Sequence, residues 1–166
     1  MSTRQNEFEQ IAMPHTRSLL RVARRLVSDP AAAEDLVQET MFLAWRGFHQ
    51  FQRDTNVRAW LFRILFNAFH AQGRKLRSAP ATVPLEAQEL RTDSRAHAVA
   101  EISQALDELG VEQRTVLLLG VVEGLTCREI ADILSVPIGT VMSRLARARE
   151  AMRNQLTLKC SAKEAS

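Results

Sequence analysis

Apolar residues recur at intervals of three and four along most of this 166-residue chain, which is the spacing of an amphipathic α-helix. One stripe extends from Phe8 to Val27, a second from Ala33 to Ala44 and a third from Val57 to Gln72. Six glycines and five prolines are too few turn residues for a many-stranded sandwich or barrel. The chain is therefore predicted to be all-α. The core face of the third helix is predicted to consist of Val57, Trp60, Leu61, Ile64, Leu65 and Ala68.

Breaks in this periodicity divide the chain into two small helical domains. Ser28-Asp29-Pro30 ends the first helix and starts the second, with the aspartate as N-cap and the proline in the first turn. Three helices over residues 5–76 are expected to close a bundle. Residues 77–97 are polar and weakly periodic, so they are predicted to form a flexible linker. A second helical cluster is expected over residues 98–156, followed by a frayed tail.

Composition excludes several classes of protein. Two cysteines cannot form a disulfide framework or a four-ligand zinc site, and the four histidines are scattered without metal-ligand spacing. The longest apolar run, Val116 to Val122, is far shorter than the ~20 residues of a membrane span, and the N-terminus lacks the apolar core of a signal peptide. No glycine-rich phosphate loop or nucleophile elbow is visible. We expect a reduced, cytoplasmic protein with no metal, no cofactor and no catalytic site.

The net charge of +3 is modest but unevenly distributed. Residues 58–77 carry five bases and no acid, residues 78–112 carry seven acids and two bases, and residues 138–159 carry five bases and one acid. Two basic segments with an acidic one between them indicate two contacts with a polyanion, held apart by a spacer. The alternative is that both basic segments are solvated helix faces.

Residues 126–152 have the pattern of a helix-turn-helix. Thr126-Cys127-Arg128-Glu129 has the spacing of a capping box, and the short helix that it starts breaks at Ser135-Val136-Pro137. The next helix combines an apolar stripe with an opposite face of small and basic side chains, which lets a backbone approach a groove floor and contact base edges and phosphates. An ordinary helical hairpin is the alternative. The predicted DNA-facing residues are Gly139, Thr140, Ser143, Ala146 and Arg147, with Arg144 at their flank.

Opposite its core face, the third helix is predicted to present a second nucleic-acid surface. Aromatic side chains stack on unpaired bases, arginines follow the phosphates and an asparagine can contact a base edge, so the pattern favours a strand whose bases have left the duplex. The alternative is that its two phenylalanines pack beneath another helix. The residues of this surface are Phe62, Arg63, Phe66, Asn67, His70 and Arg74.

The second helix is predicted to present an interface for a protein. Exposed aromatic side chains among carboxylates are typical of a protein interface, since the acids would repel phosphates. The alternative for Trp45 is that its ring covers the edge of its own bundle. The outer face consists of Asp35, Gln38, Glu39, Phe42, Trp45 and Arg46.

Three stretches of these surfaces together carry a family resemblance. They are Asp35 to Thr40, Asn56 to Ile64, and Pro137 to Arg144. With them, the chain resembles an extracytoplasmic-function (group 4) bacterial RNA polymerase sigma factor of the sigma-70 family. The resemblance covers residues 5–76 and 98–156, in the right order and with the right spacer.

The resemblance implies two domains with different tasks and, as partners, core RNA polymerase and promoter DNA. Regions 2.1–2.4 would bind the polymerase clamp helices and the −10 element, and region 4 would bind the −35 element and the polymerase flap. Core binding would fall to Asp35, Gln38 and Glu39, with the neighbouring Phe42. The −10 element would be bound by Thr55, Asn56, Arg58, Trp60, Arg63, Asn67, His70 and Arg74. The −35 element would be bound by Arg128, Thr140, Ser143, Arg144 and Arg147.

The run from Val136 to Leu145 most resembles the thiol-oxidative-stress group of this family. Members of that group are held by zinc-containing anti-sigma factors, so a stress response under such a partner is expected. Many relatives carry a basic residue where this chain has Met142 and a larger one at Ala146, which leaves open the −35 sequence that it reads.

Two other classes of function, a transcriptional regulator and an enzyme, agree less well with the sequence. An ordinary helix-turn-helix transcriptional regulator would explain the C-terminal domain, but it would leave the second and third helices without a task, and such regulators dimerise on paired half-sites. An enzyme is disfavoured because no catalytic constellation is visible. Cys127 is either a redox switch or a small buried residue, and the buried residue is the favoured interpretation.

Overall fold

The structure is a computed structural model that describes residues 3–27, 29–53, 55–76 and 94–164. These residues form α-helices linked by short turns and contain no strand, which confirms the predicted fold class. The helices form two compact units, one built from α1 to α4 together with α7 and the other from α5, α6 and α8. In chain order the helices are α1 (Thr3–Ala12), α2 (Thr16–Leu26), α3 (Pro30–Gly47), α4 (Val57–Leu76), α5 (Ser94–Asp107), α6 (Val111–Leu117), α7 (Cys127–Leu134) and α8 (Ile138–Glu164).

The helix predicted over Phe8 to Val27 is in fact two helices. A 3₁₀ turn at Met13–His15 separates α1 from α2. Pro14 lies in this turn, and a proline cannot donate the backbone hydrogen bond that a continuous α-helix requires. The predicted start of α3 is confirmed: the Asp29 carboxylate accepts hydrogen bonds from the amides of Ala31 and Ala32 at 3.2 Å each, and Pro30 follows as the first helical residue.

The core of the first unit is centred on α4, which packs against α3 and α2. Thr40 is buried on α3, where its hydroxyl donates to the Leu36 carbonyl at 2.7 Å. The buried apolar side chains come from all four helices of the bundle and include Phe8, Leu19, Val22, Leu36, Leu61, Phe62, Leu65 and Phe66.

The prediction that Phe62 and Phe66 face DNA is wrong. Their side chains are 1% and 2% exposed, so both rings belong to the core. The buried face of α4 is centred nearer to these rings than the sequence pattern indicated. Of the predicted core residues, Leu61, Leu65 and Ala68 are buried, whereas Val57, Trp60 and Ile64 are only half-buried.

The second unit is built around α8, which packs against α6 and α5. Arg114 of α6 stabilises the turn between α5 and α6, since its guanidinium donates to the carbonyls of Asp107 and Leu109 at 2.6 and 3.1 Å. Gly124 has a φ of +66°, as a left-handed helix stop requires, and it lies beyond a π-helical turn at Leu118–Val122. The tail predicted to fray after residue 156 continues α8 to Glu164.

The predicted linker at 77–97 lies mostly outside the described residues. The described chain resumes at Ser94, where α5 begins.

Replacing Phe62 with alanine is expected to lower the free energy of unfolding of the first unit by about 3–5 kcal/mol, because it removes a fully buried ring. Arg63→Ala, at the neighbouring exposed position, should change it by less than about 0.5 kcal/mol. Both tryptophans of the chain, Trp45 and Trp60, lie in the first unit, so their fluorescence in a denaturant titration of the full chain reports its unfolding. Equal effects at the two positions would contradict the burial of Phe62.

Candidate nucleic-acid and polymerase interfaces

A polar row runs along the exposed side of α4. Arg63, Asn67 and His70 are all exposed and follow one another at helical intervals of four and three. Arg74 continues this row in the last turn of α4, where its side chain lies outside the described residues. The row can offer cationic and amide donors to phosphates and base edges, and the exposed His70 imidazole adds an aromatic ring.

Aromatic side chains near the row lie at the start of α4. Trp60 is half-buried, and its ring centroid lies 4.8 Å from that of Phe51 and 6.5 Å from that of Phe48. Phe51 is half-buried as well, whereas Phe48 is 6% exposed. Trp60 therefore packs against two other rings and remains partly accessible to solvent.

The loop before α4 is shaped by its own side chains. The Asn56 side-chain oxygen accepts from the amides of Arg58 and Ala59 at 3.0 and 3.4 Å, which caps α4. The Thr55 hydroxyl donates to the Gln52 carbonyl at 2.6 Å. Both predicted −10 residues are exposed, while Arg58 is half-buried. The local turn therefore depends on side chains that were predicted to contact DNA.

One anchor of this loop was missed by the sequence reasoning. The Arg53 guanidinium contacts the Glu7 carboxylate of α1 through two nitrogens, at 2.7 and 2.8 Å. The two residues are far apart in sequence, and neither lies in a recognisable motif, so no sequence signal pairs them.

The predicted protein interface on α3 forms one exposed stripe. Asp35, Gln38, Glu39 and Phe42 are all exposed, and Phe42 exposes 59% of its surface. The Arg46 guanidinium carbon lies 5.7 Å from the centre of the Phe42 ring, within the range of a cation–π contact. The Glu39 carboxylate accepts from the Gln72 amide of α4 at 2.8 Å, which ties the stripe to the bundle.

Trp45 does not join this stripe. Its ring packs edge-on against Phe8, with the centroids 5.3 Å apart, and the Arg4 guanidinium lies 5.0 Å from the tryptophan ring. The indole is half-buried, so its role in covering the edge of the bundle, the alternative given by the sequence, is the correct one.

The outer face of α8 carries most of the predicted −35 residues. Val141, Leu145 and Ala148 are buried, and the opposite side is open to solvent. Ser143 and Arg147 are exposed, with the Ser143 hydroxyl donating to the Thr140 carbonyl at 3.0 Å. Thr140 is half-buried, and Arg128 is exposed on α7.

Arg144 stands apart from this outer face. Its guanidinium lies 2.7 Å from the Glu112 carboxylate of α6, and its side chain is only 22% exposed. The ion pair attaches α8 to α6, so Arg144 has a structural partner within the second unit. Its predicted contact with DNA stays a prediction.

The described residues carry no sign of a metal site or a membrane span. Nowhere in this part of the chain do three histidine, cysteine, aspartate or glutamate side chains form a group that could hold a metal ion. Within the same residues, no helix is long and apolar enough to cross a membrane.

Comparison with known proteins identifies the family to which both helical parts of the chain belong. Residues 11–78 match the family described as sigma-70 region 2, and residues 100–152 match sigma-70 region 4. The RNA polymerase sigma-H factor of Pseudomonas aeruginosa is 30% identical over 165 residues, covering 90% of this chain and 86% of the relative. The ECF RNA polymerase sigma factor SigM of Mycobacterium tuberculosis is 37% identical over 144 residues, covering 86% of this chain and 73% of the relative.

A solved structure shows the same fold. It is the sigma factor RpoE of Bartonella quintana, crystallised with the anti-sigma factor NepR. Its TM-score against this chain is 0.73 at 30% sequence identity, and the match covers 91% of this chain and 97% of the other.

Arg144→Ala is expected to loosen the packing of α8 on α6, because it removes the ion pair with Glu112. Since the Glu112 side chain is 70% exposed, the free energy of unfolding should fall by at most about 1 kcal/mol. Amide hydrogen exchange in α6 and α8 of the full chain should accelerate by no more than about fivefold. Arg147→Ala serves as the control and should leave exchange unchanged. Equal protection in both variants would show that the ion pair holds nothing in place.

Proposed function

Since this chain belongs to the extracytoplasmic-function branch of the sigma-70 family, whose members direct RNA polymerase to promoters, we propose that three of its surfaces divide this work. The α3 stripe binds core polymerase. The polar row of α4, with the loop before it, opens and reads the −10 element. The outer face of α8 reads the −35 element. The observation that carries the proposal is the separation of an acidic, aromatic face from two faces rich in arginine and amide side chains.

The α3 stripe suits a protein partner. Asp35 and Glu39 would repel phosphates, whereas an exposed phenylalanine loses contact with water when a partner covers it. The Arg46 contact and the Gln72–Glu39 hydrogen bond hold parts of the stripe in place before binding. A partner therefore has less conformational entropy to remove from this surface than from a mobile one.

Strand opening at the −10 element is marginal in energy. Extruding one base from a duplex costs a few kcal/mol, and stacking on an aromatic ring returns about 1–3 kcal/mol per base. With Phe62 and Phe66 buried, the half-buried Trp60 ring and the exposed His70 imidazole remain on α4 as stacking surfaces. Opening must therefore draw on polymerase binding, and base-edge contacts from Asn67 and the loop supply selectivity.

The outer face of α8 is suited to duplex DNA. Arg147 and Arg149 are exposed and can neutralise phosphates or bind guanine edges. A small side chain at Ser143 lets the helix approach the groove floor. In this proposal the chain carries no reaction of its own, because the polymerase performs the chemistry in the cytoplasm.

Control by an anti-sigma factor is part of the proposal. It rests on the Bartonella quintana sigma factor, which shares the fold and whose structure was solved with an anti-sigma factor. Such a partner would compete with polymerase for exposed surfaces of this chain. That it contains zinc, as the subgroup resemblance suggests, stays a prediction.

Reversing the charge of the α3 stripe should weaken polymerase binding. Asp35→Arg combined with Gln38→Ala is expected to raise the Kd for core polymerase at least about tenfold, equivalent to about 1.4 kcal/mol. Fluorescence anisotropy of labelled chain titrated with core measures this. Glu9→Arg makes the same charge change at an exposed position of α1 and should leave the Kd near wild type. An unchanged Kd for the double variant would remove α3 from the interface.

Removing the Asn67 side chain should impair promoter opening without affecting polymerase binding. Asn67→Ala is expected to lower permanganate reactivity of −10 thymines by roughly 5- to 150-fold, because a base-edge contact worth about 1–3 kcal/mol is lost. A pre-melted bubble template should restore part of the activity. Asn6→Ala, an exposed amide on α1, is the control.

Asn56→Ser extends this test to the loop. Serine keeps an oxygen that can cap α4 but lacks the amide, which donates to the Glu129 carboxylate at 2.6 Å here and would have to leave it to contact a base edge. The fold should be intact and opening reduced. Normal permanganate footprints for both Asn67→Ala and Asn56→Ser would show that this region is not the −10 reader.

A further inference from the structure

The outer face of α8 carries an apolar side chain that neither the core nor the charge pattern explains. Met142 exposes 58% of its surface, although it lies among residues expected to face DNA. It sits one turn before Ala146, which is exposed as well, on the side of α8 that also exposes Gly139 and Ser143. Because the core of the second unit is formed by the other side of α8, Met142 has no packing role there.

Gly139 points to an external partner at the same place. A β-carbon built on Gly139 meets no atom within 4 Å, and its backbone is not in the left-handed region, so neither packing nor conformation within the chain requires a glycine. An open position next to Met142 and Ser143 allows close approach from outside. The partner that charge complementarity selects is a polyanion, since the exposed Arg147, Arg149 and Arg153 outnumber the one exposed carboxylate beside this patch, that of Glu150.

The chemistry of methionine then limits what it can recognise on DNA. A thioether is at most a weak hydrogen-bond acceptor, so it cannot read the donor and acceptor pattern of guanine, cytosine or adenine. The one apolar group that a base pair presents in the major groove is the 5-methyl group of thymine. A flexible, polarisable side chain can adapt its shape to such a methyl group.

We propose that Met142, with Ala146 one turn further on, contacts a thymine 5-methyl group in the −35 element, which makes Met142 a specificity-determining residue. The inference rests on the proposed role of α8 in −35 binding. It commits this chain to a −35 element that contains a thymine at the position opposite Met142. Hydrogen bonds from Ser143 and Arg147 would specify neighbouring positions.

The test replaces thymine by deoxyuridine, which removes only the 5-methyl group. The polymerase holoenzyme formed with the wild-type chain is first used to select duplexes from a library with a randomised −35 region. Each thymine of the selected element is then replaced in turn, and holoenzyme affinity is measured. Loss of one buried methyl corresponds to about a fourfold loss of affinity. We expect that loss at one thymine for wild type and less than about 1.5-fold for Met142→Ala.

Two variants control for chemistry and position. Met142→Leu keeps an apolar side chain and should retain the thymine preference. Met13→Ala removes a methionine that is 52% exposed in the first unit and should behave as wild type. A selected element without thymine, or equal affinity for thymine and deoxyuridine at every position, would overturn the proposal. So would a uniform loss on all templates in Met142→Ala, which would assign Met142 to a protein contact.

Arg147→Ala separates failure of this inference from failure of the proposed −35 role. It should weaken binding to thymine and deoxyuridine templates alike, by roughly 5- to 150-fold. If that loss is seen while deoxyuridine has no effect, the α8 assignment stands and the methionine contact is wrong. If Arg147→Ala is also without effect, α8 is not the −35 reader.

Discussion

Burial of two adjoining faces of α4 is the constraint on which the first unit depends. Leu61 and Leu65 form one face and Phe62 and Phe66 the other, and each of these side chains is at most 2% exposed. Because so much of the helix circumference is occupied, only a narrow stripe remains for polar side chains. That stripe is where Arg63, Asn67 and His70 lie, so the packing of the core positions the surface that is proposed to bind nucleic acid.

In the second unit, the outer face of α8 is oriented by a different combination of contacts. Apolar burial holds one side of α8, and the Arg144–Glu112 ion pair holds its flank. These contacts leave Met142 and Arg147 directed to solvent. Arg144, which was predicted to contact the −35 element, thereby positions α8. Met142, which was not among the predicted contacts, is exposed and available to a partner. Neighbouring positions on one helix thus take different roles according to which face the core occupies.

Two of the proposed surfaces are held in place by contacts within the chain before a partner binds. The α3 stripe is held by a cation–π contact at Phe42 and by the Gln72–Glu39 hydrogen bond. The loop before α4 is held by the Asn56 cap and the Arg53–Glu7 ion pair. Preformed contacts of this kind lower the entropy lost on binding. With Phe62 and Phe66 in the core, stacking on α4 falls to Trp60 and His70, so the proposed opening of the promoter depends on the polymerase.

Helix content, the Asp29 cap and the polar character of the three surfaces could be predicted from the sequence, because periodicity and capping are local properties. That both neighbouring apolar faces of α4 are buried could not be predicted. The helical stripe and the aromatic pair beside it are each apolar enough to be buried, and the local sequence does not show whether either will be. The packing of the other helices on α4 decided the burial of Phe62. Pairs distant in sequence, such as Arg53 with Glu7 and Arg144 with Glu112, are likewise absent from any local pattern. Only tertiary packing brings their charges together. The same packing decides which arginines remain free of ion pairs like these and available to the proposed DNA partner.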